Sequence, residues 1–265
     1  LLTADEIFKR QAIEIVLPSD SVKAQHIKSV SGTVKWMKSG KRKQKIHCRN
    51  EYDLSGKLML KKYALFNTDA FTSHENVYRY EGERLTEIGG YFEKAGYSDN
   101  TYTYSDKGNV QAIDHLFDRE EFTYDSLGKV LTMTRWSKAS MKEQVPDARY
   151  SFVYNDLGQL VSVFKMKEND QTYTTAISYI YDEYNRLQKI TIHDWQSVLF
   201  RSITYVYAGN SKDSRIYDVI YAYGNQWVNK QSFVYEAGQL KEIVYYEDEN
   251  QAVRKLKLNY EYYKK

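Results

Sequence analysis

Five histidines, at positions 26, 47, 74, 115 and 193, and a single cysteine, Cys48, carry most of the reactive chemistry available to this 265-residue chain. An imidazole beside a carboxylate can act as a general base, and an imidazole beside a thiol can activate a nucleophile. Asp114-His115, His193-Asp194 and His47-Cys48 have the right residue types for this. Neighbours on a strand point to opposite faces, so none of these pairs can act together if the chain there is extended. The histidines do not recur at metal-ligand spacing. Glu247-Asp248-Glu249-Asn250 offers oxygen ligands for Ca²⁺, but its place between Tyr245 and Val253 reads as a solvated turn. Paired carboxylates for glycoside hydrolysis could meet across strands, yet nothing in the sequence marks such a pair. No zincin, C-x-x-C, G-x-S-x-G, P-loop or dinucleotide-binding pattern occurs. The residues therefore predict no catalytic centre, no metal and no cofactor.

Binding is the other chemistry the side chains could do. Trp36, Trp136, Trp195 and Trp227 fall in different parts of the chain with tyrosines beside them. Flat rings of this kind stack on sugar rings, with Asn, Asp and Arg supplying hydrogen bonds, so the four are candidate ligand-binding aromatics. They could equally be core and cross-strand packing. The run Lys38 to Lys45 holds five basic residues around Ser39-Gly40. It is either a solvated hairpin tip or a contact for an anionic lipid.

The elements that must position these residues are set by a repeat. Tyr124-Asp125-Ser126-Leu127-Gly128-Lys129-Val130 returns as Tyr154-Asn155-Asp156-Leu157-Gly158-Gln159-Leu160 and is preceded by Tyr52-Asp53-Leu54-Ser55-Gly56-Lys57-Leu58. Related copies begin at Tyr104 and Tyr181, shorter ones at Tyr80 and Tyr235, and a degraded one near Tyr207. The copies recur every 20 to 30 residues, the period of a repeat architecture. Asp, Asn or Ser can accept a backbone hydrogen bond two residues on, and the glycine suits a position with φ > 0. This predicts a type I turn closed by a left-handed residue, the tip of a β-hairpin. Asn185 replaces that glycine in one copy, and Asn is the next best residue there.

Before each turn the apolar residues alternate, as in Tyr150, Phe152, Tyr154 and Ile177, Tyr179, Tyr181. After it, an apolar pair is spaced by three, as in Val130 and Met133 or Leu160 and Val163. Three is an odd step, so both can face inward only if a bulge shifts the parity. Residues 26 to 50 predict a leading hairpin. Residues 1 to 17 predict a short amphipathic helix capped at Thr3 with Glu6 and ended by Pro18. Residues 52 to 265 predict tandem hairpins, and the whole chain a single domain. The expected fold is all-β, on the order of 15 to 18 strands in a curled antiparallel meander, either an open spiral sheet or a partly closed shell. Insertions concentrate at the loops opposite the Gly turns, at 137 to 147 and 210 to 214.

Composition bounds the partners. The chain has 26 tyrosines, fitting a half-buried pleated surface. A net charge of +3, from 38 basic and 35 acidic residues, points to no nucleic-acid partner. One cysteine excludes an internal disulfide, and no apolar run reaches the roughly 18 residues of a membrane helix.

Tandem Y-D-x-x-G-[KRQN]-[LV] units over residues 50 to 245 resemble the YD repeats of bacterial Rhs and wall-associated proteins and of animal teneurins. In that family the repeats form a ribbon that spirals into a hollow shell around a toxin or other cargo. This chain is short for such a shell and has no recognisable self-cleaving segment or toxin domain. It is similar to short stand-alone repeat proteins of Bacteroidetes envelopes. The resemblance implies a secreted or envelope protein, periplasmic or on the outer surface, or a lipoprotein anchored through a removed leader. The expected function is a non-enzymatic scaffold or protein-interaction module. The alternative is a glycan-binding module using exposed Trp and Tyr, and a carrier of apolar ligands ranks behind both.

Overall fold

The computed structural model describes residues 12–13, 15, 17, 19–37, 46–67, 70–92, 96–143, 145–166, 173–194, 198–224, 226–247 and 251–264. Contacts gather into two compact units, Leu1–Asp99 with Gln231–Lys265, and Asn100–Lys230. The first holds β1 (Ala12–Ile13), α1 (Ser19–Ala24), β2 (Ile27–Trp36), β3 (His47–Tyr52), β4 (Leu58–Asn67), β5 (Ala70–Glu81), β6 (Arg84–Phe92) and the start of β7 (Gly96–Tyr104). The second completes β7 and contains β8 (Val110–Asp114), β9 (Asp118–Tyr124), β10 (Val130–Ser137), α2 (Lys138–Glu143), β11 (Ala148–Tyr154) and β12 (Leu160–Met166). It continues with β13 (Tyr173–Tyr181), β14 (Leu187–His193), β15 (Leu199–Tyr207), β16 (Ile216–Tyr223) and the start of β17 (Gln226–Glu236). The chain re-enters the first unit for the rest of β17, β18 (Gln239–Tyr246) and β19 (Ala252–Tyr262).

The fold is all-β and antiparallel, with strand order following chain order from β2 to β19. β19 then lies against β2, from Arg254 opposite Trp36 to Tyr262 opposite Ile27. The first and last long strands are therefore neighbours. The leading hairpin is present as β2 and β3, with Val30 opposite Asn50, while its tip at 38–45 lies outside the described residues.

The helix expected over residues 1 to 17 falls mostly outside the described residues. A separate short helix, α1, follows at Ser19–Ala24. Within residues 1–17, Ala12–Ile13 is a strand that extends the edge of β4 beyond the reach of β3, and residues 1–11 lie outside the described residues. At Ala12–Ile13 backbone pairing outweighs the local helical pattern, because it satisfies donors and acceptors of β4 that β3 leaves uncovered.

The hairpin tips form as the repeat predicts. In the Tyr124 copy, Gly128 N donates to Asp125 O at 3.1 Å, and Asp125 Oδ1 accepts from the N–H groups of Leu127 (2.9 Å) and Lys129 (2.8 Å). Gly128 has φ +79°, and Asn185 takes the same region at +61°. The short Tyr235 copy turns in two residues, Ala237 and Gly238, both with φ > 0, the signature of a type I′ hairpin. Just beyond the turn the register slips. Val130 pairs with Tyr124 and Thr132 with Thr123, so Leu131 is bulged out. The same slip follows the turns after Tyr52, Tyr80, Tyr104, Tyr154, Tyr181 and the degraded copy at Tyr207. Val130 and Met133 are both buried as a result.

What joins one repeat to the next is the motif tyrosine. Its hydroxyl donates to the carbonyl of the first residue after the preceding turn. Tyr80 reaches Leu58 O (3.0 Å), Tyr124 Val110 O (2.5 Å), Tyr154 Val130 O (3.1 Å), Tyr181 Leu160 O (2.9 Å) and Tyr207 Leu187 O (2.8 Å). Tyr260 does the same to Leu240 O at 2.5 Å, and Tyr263 reaches Tyr52 O at 2.6 Å. The basic or amide residue after the motif glycine reaches the other way. Lys57 donates to Gly82 O, Gln159 to Asn185 O, and Arg186 to Gly209 O while lying 4.2 Å over the Tyr207 ring.

Each unit buries the face carrying these tyrosines. In the first, Ile15 and Val22 pack with Val30, Val34, Cys48, Ile243 and Leu256. Buried Asn50 fastens this segment by donating to Ile15 O at 2.8 Å. In the second, Phe152 lies opposite Val163, Val163 opposite Ile177 and Ile177 opposite Ile192, an apolar row over four strands, with Ile190 opposite Ile203 in the adjacent row.

Tyr154→Phe deletes one inter-repeat hydrogen bond without changing the ring and should cost about 1 kcal/mol in urea unfolding. Gly128→Ala forces a side chain into a left-handed conformation and should cost about 1 kcal/mol or more by the same measurement. Alkali should unfold the protein for the same reason that the ladder holds it. Burial raises the phenols of Tyr124, Tyr154, Tyr181 and Tyr205, and pushes Tyr179 up to about 12. Each binds its proton more tightly folded than unfolded. That stabilisation is complete below the ordinary value of about 10 and is lost as pH rises through the folded values. Tyrosinate absorbance and far-UV circular dichroism should therefore change together above about pH 10.

Candidate functional site

The second face of the strands carries ion pairs among exposed apolar residues such as Val77, Val153 and Ile180. In the first unit Lys28 meets Glu261 (3.0 Å), Arg49 meets Glu51 (2.7 Å), Lys62 meets Glu75 (2.8 Å) and Lys255 meets Glu242 (2.6 Å). In the second unit Arg119 bridges Asp114 (2.9 Å) and Glu121 (3.0 Å). Lys28 and Ser29 hold the Glu261 carboxyl below its ordinary range, the Lys28 hydrogen bond being the larger cause.

A concavity of about 530 Å³ opens on this face within the first unit, across β4 to β7. Its shape follows from register. Lys62, Glu75 and Tyr91 stand in one cross-strand row, and Leu60, Val77 and Gly89 in the next. Gly89 contributes no side chain, and a Cβ there would come within 3.2 Å of Asp99 Oδ1. The row beyond is closed by the Arg79–Glu87 ion pair. Tyr91 and Tyr97 form one wall, their ring centroids 5.2 Å apart and tilted by 52°. Tyr97 is 76 % exposed and Tyr91 44 %. The volume falls in the range of small-molecule sites, and the lining combines exposed rings with placed hydrogen-bonding groups.

The tryptophans read from the sequence lie elsewhere. Trp36 is half-buried beneath the Arg254 guanidinium, 5.5 Å from its ring. Trp136 is half-buried and donates its indole N–H to Glu121 Oε2 at 3.1 Å, beside Arg119. Trp195 lies outside the described residues, as does the side chain of Trp227 on β17. Trp36 and Trp136 thus each pack against charged neighbours in their own unit.

The histidines are placed as separate residues. His47 is exposed and bonded to Thr33 Oγ1 (3.0 Å), while Cys48 beside it is buried. Asp114 turns to Arg119, whereas His115 turns to Asn100 Oδ1 (2.9 Å) and Glu120 (3.7 Å). Alternation along the strand parts the residues of each adjacent pair. His74 is buried, stacked on Tyr63 at 5.4 Å and bonded to Thr72 Oγ1. His193 contacts Thr191 Oγ1 at 3.2 Å. Among the described residues no three His, Cys, Asp or Glu side chains gather to hold a metal. The acidic run at 247–250 and the basic run at 38–45 fall mostly or wholly outside the described residues.

Sequence reading missed the groove because Tyr91, Tyr97, Gly89 and Asp99 belong to no motif. The available signal was Gly89-Gly90 in the middle of a strand, where glycine marks a bulge or a close approach.

These features define a class, an antiparallel hairpin-repeat β protein with an ion-paired outer face and one aromatic-walled groove in its first unit. No family model matches the chain, and no curated protein matches it. Among solved structures, a porin-like protein from Bacteroides uniformis ATCC 8492 is similar at 11 % identity and TM-score 0.44, over 89 % of this chain and 98 % of that one. A porin-like protein from Bacteroides vulgatus ATCC 8482 gives 13 % and 0.41 over 89 % and 98 %. The TcdB2-TccC3 complex gives 14 % and 0.34 over 75 % of this chain and 14 % of that one.

Nitration by tetranitromethane should strike Tyr97 first and Tyr217 next, followed by Tyr91, Tyr262 and Tyr223, with the inter-repeat tyrosines protected until the protein unfolds. Peptide mass mapping of a time course reads this order directly.

Proposed function

We propose that the chain is a non-enzymatic repeat scaffold of the cell envelope or of the secreted fraction, acting by presenting the exposed face of its strands to a partner. One observation carries this reading. The groups that define the repeat are consumed in holding repeats together: the tyrosine hydroxyl on the preceding carbonyl, the Asp on its own turn, the Lys or Arg on the next turn. What remains for function is surface, as in other repeat proteins.

A pore is the less favoured reading. A strand facing lipid presents an apolar band, with charged substitutions strongly destabilising near its middle. Here one face is buried against protein, and the other interrupts exposed apolar residues such as Val153, Ile180 and Val206 with ion pairs such as Lys62–Glu75 and Arg119–Glu121, so no unbroken apolar band is presented on the described strands. An aqueous setting, periplasmic or external, suits both faces.

Glycan binding is the second reading, favoured by one feature, the exposed Tyr91–Tyr97 wall above a glycine floor.

The scaffold reading is tested by placing a photo-crosslinking residue at Glu51, on the exposed face, and irradiating cells that express the full protein. A discrete adduct with an envelope or secreted protein is the expected result. Recovery of the protein only in the cytosolic fraction, or without any adduct, overturns it.

A further inference from the structure

We infer that the groove across β4 to β7 is a subsite for a neutral saccharide, in which Tyr97 stacks against a pyranose ring seated over Gly89. The proposal rests on the glycan reading above and moves it from the four tryptophans to residues that form no sequence motif.

Several observations narrow the occupant. The ring of Tyr97 is the most exposed aromatic surface on the described part of the chain, and its tilt against Tyr91 makes an angled cradle rather than a closed stack. A pyranose offers such a cradle an apolar C–H face and a rim of hydroxyls. The rim would meet Asp99, whose Oδ1 already points over Gly89 at a Cβ distance of 3.2 Å. On the two sides stand the ion pairs Lys62–Glu75 and Arg79–Glu87. A carboxylate bonded to a cation is fixed in direction yet keeps lone pairs, and the cation keeps donors, so each pair can both accept from and donate to adjacent hydroxyls.

Charge argues against an anionic ligand. Among the lining residues the cations Lys62 and Arg79 are matched by the carboxylates Glu75 and Asp99, Arg79 is further paired with Glu87, and the lining His74 is buried against Thr72, so the groove has no surplus positive charge to hold phosphate, sulfate or a uronic acid. Register argues against an extended peptide. The groove lies on the face of the sheet, where β5 is already paired to both β4 and β6, so no edge is offered for strand addition. A wholly apolar ligand would leave the carboxylates and cations desolvated.

The position of glycine gives the sharpest variant. Gly89 has no positive φ among its requirements, and the atoms a Cβ would meet are the ends of the Asp99 and Glu87 side chains. Gly89→Val therefore fills the floor with a residue that strands favour, and the fold should accept it. Tyr97→Ala removes the exposed ring without touching the core.

The experiment uses the full chain on an array of neutral, amino and acidic oligosaccharides, followed by calorimetric titration of the strongest neutral hit. The expected result is saturable binding of a neutral oligosaccharide, weakened about tenfold or more by Tyr97→Ala and by Gly89→Val, with thermal melts like the parent's. Tyr223→Ala, at the exposed Phe200–Tyr223 edge in the second unit, should bind like the parent. Binding unchanged by both groove variants overturns this subsite while the glycan reading stands. An array silent for every neutral sugar overturns the glycan reading and the subsite with it. Retention of only acidic sugars also overturns the assignment, because it requires a cationic site elsewhere.

Discussion

The hydrogen bond from a motif tyrosine to the carbonyl just past the preceding turn, made by Tyr80, Tyr124, Tyr154, Tyr181 and Tyr207, is the constraint on which the other features depend. The bulge after every turn removes a residue from the ladder, and a bulge by itself would leave a carbonyl without its regular cross-strand partner. The tyrosine of the next repeat supplies the missing donor, as Tyr154 does for Val130 O and Tyr181 for Leu160 O. Because donor and acceptor lie 14 to 24 residues apart, the bond couples neighbouring hairpins, while the Asp-capped turn shapes each hairpin internally. A hairpin alone is marginal in water, and stacking of this sort is what makes a series of them stable.

The same geometry divides the strand faces by function. Parity reset at the bulges sends the tyrosines and the post-turn aliphatics to one face, which is buried, and leaves the other to ion pairs, Ser and Thr interspersed with exposed apolar residues such as Val153 and Ile180. A missing side chain on a face so evenly covered makes a hollow. Gly89 is such a gap, and it lies between the Tyr91–Tyr97 wall and the Arg79–Glu87 pair. The groove is thus a local departure from the repeat. Recognition sites in repeat proteins commonly arise where one unit differs from its neighbours, since the invariant residues are spent on packing.

How far the sequence could be read depends on the range of the interaction. The turn was legible because Asp125, Gly128 and Lys129 act on one another within five residues. The bulge was legible from the odd spacing of Val130 and Met133. The destinations of the tyrosine hydroxyl and of the Lys57 and Arg186 side chains were not legible, since they require knowing which carbonyl sits beside which repeat. The tryptophans drew attention by residue type, yet Trp36 and Trp136 prove to be half-buried neighbours of Arg254 and Glu121. Tyr91, Tyr97 and Asp99 looked ordinary because cross-strand register alone makes them neighbours.

The sequence by itself determined the antiparallel hairpin, its turn type and the face each side chain takes, because these follow from backbone conformations and parity within a few residues. Tertiary structure alone decided that β2 pairs with β19, that Ala12–Ile13 becomes a strand on the edge of β4, and that four strands leave a groove over Gly89. Those outcomes depend on which unpaired edges and side chains meet across long stretches of chain, and no local pattern encodes that meeting.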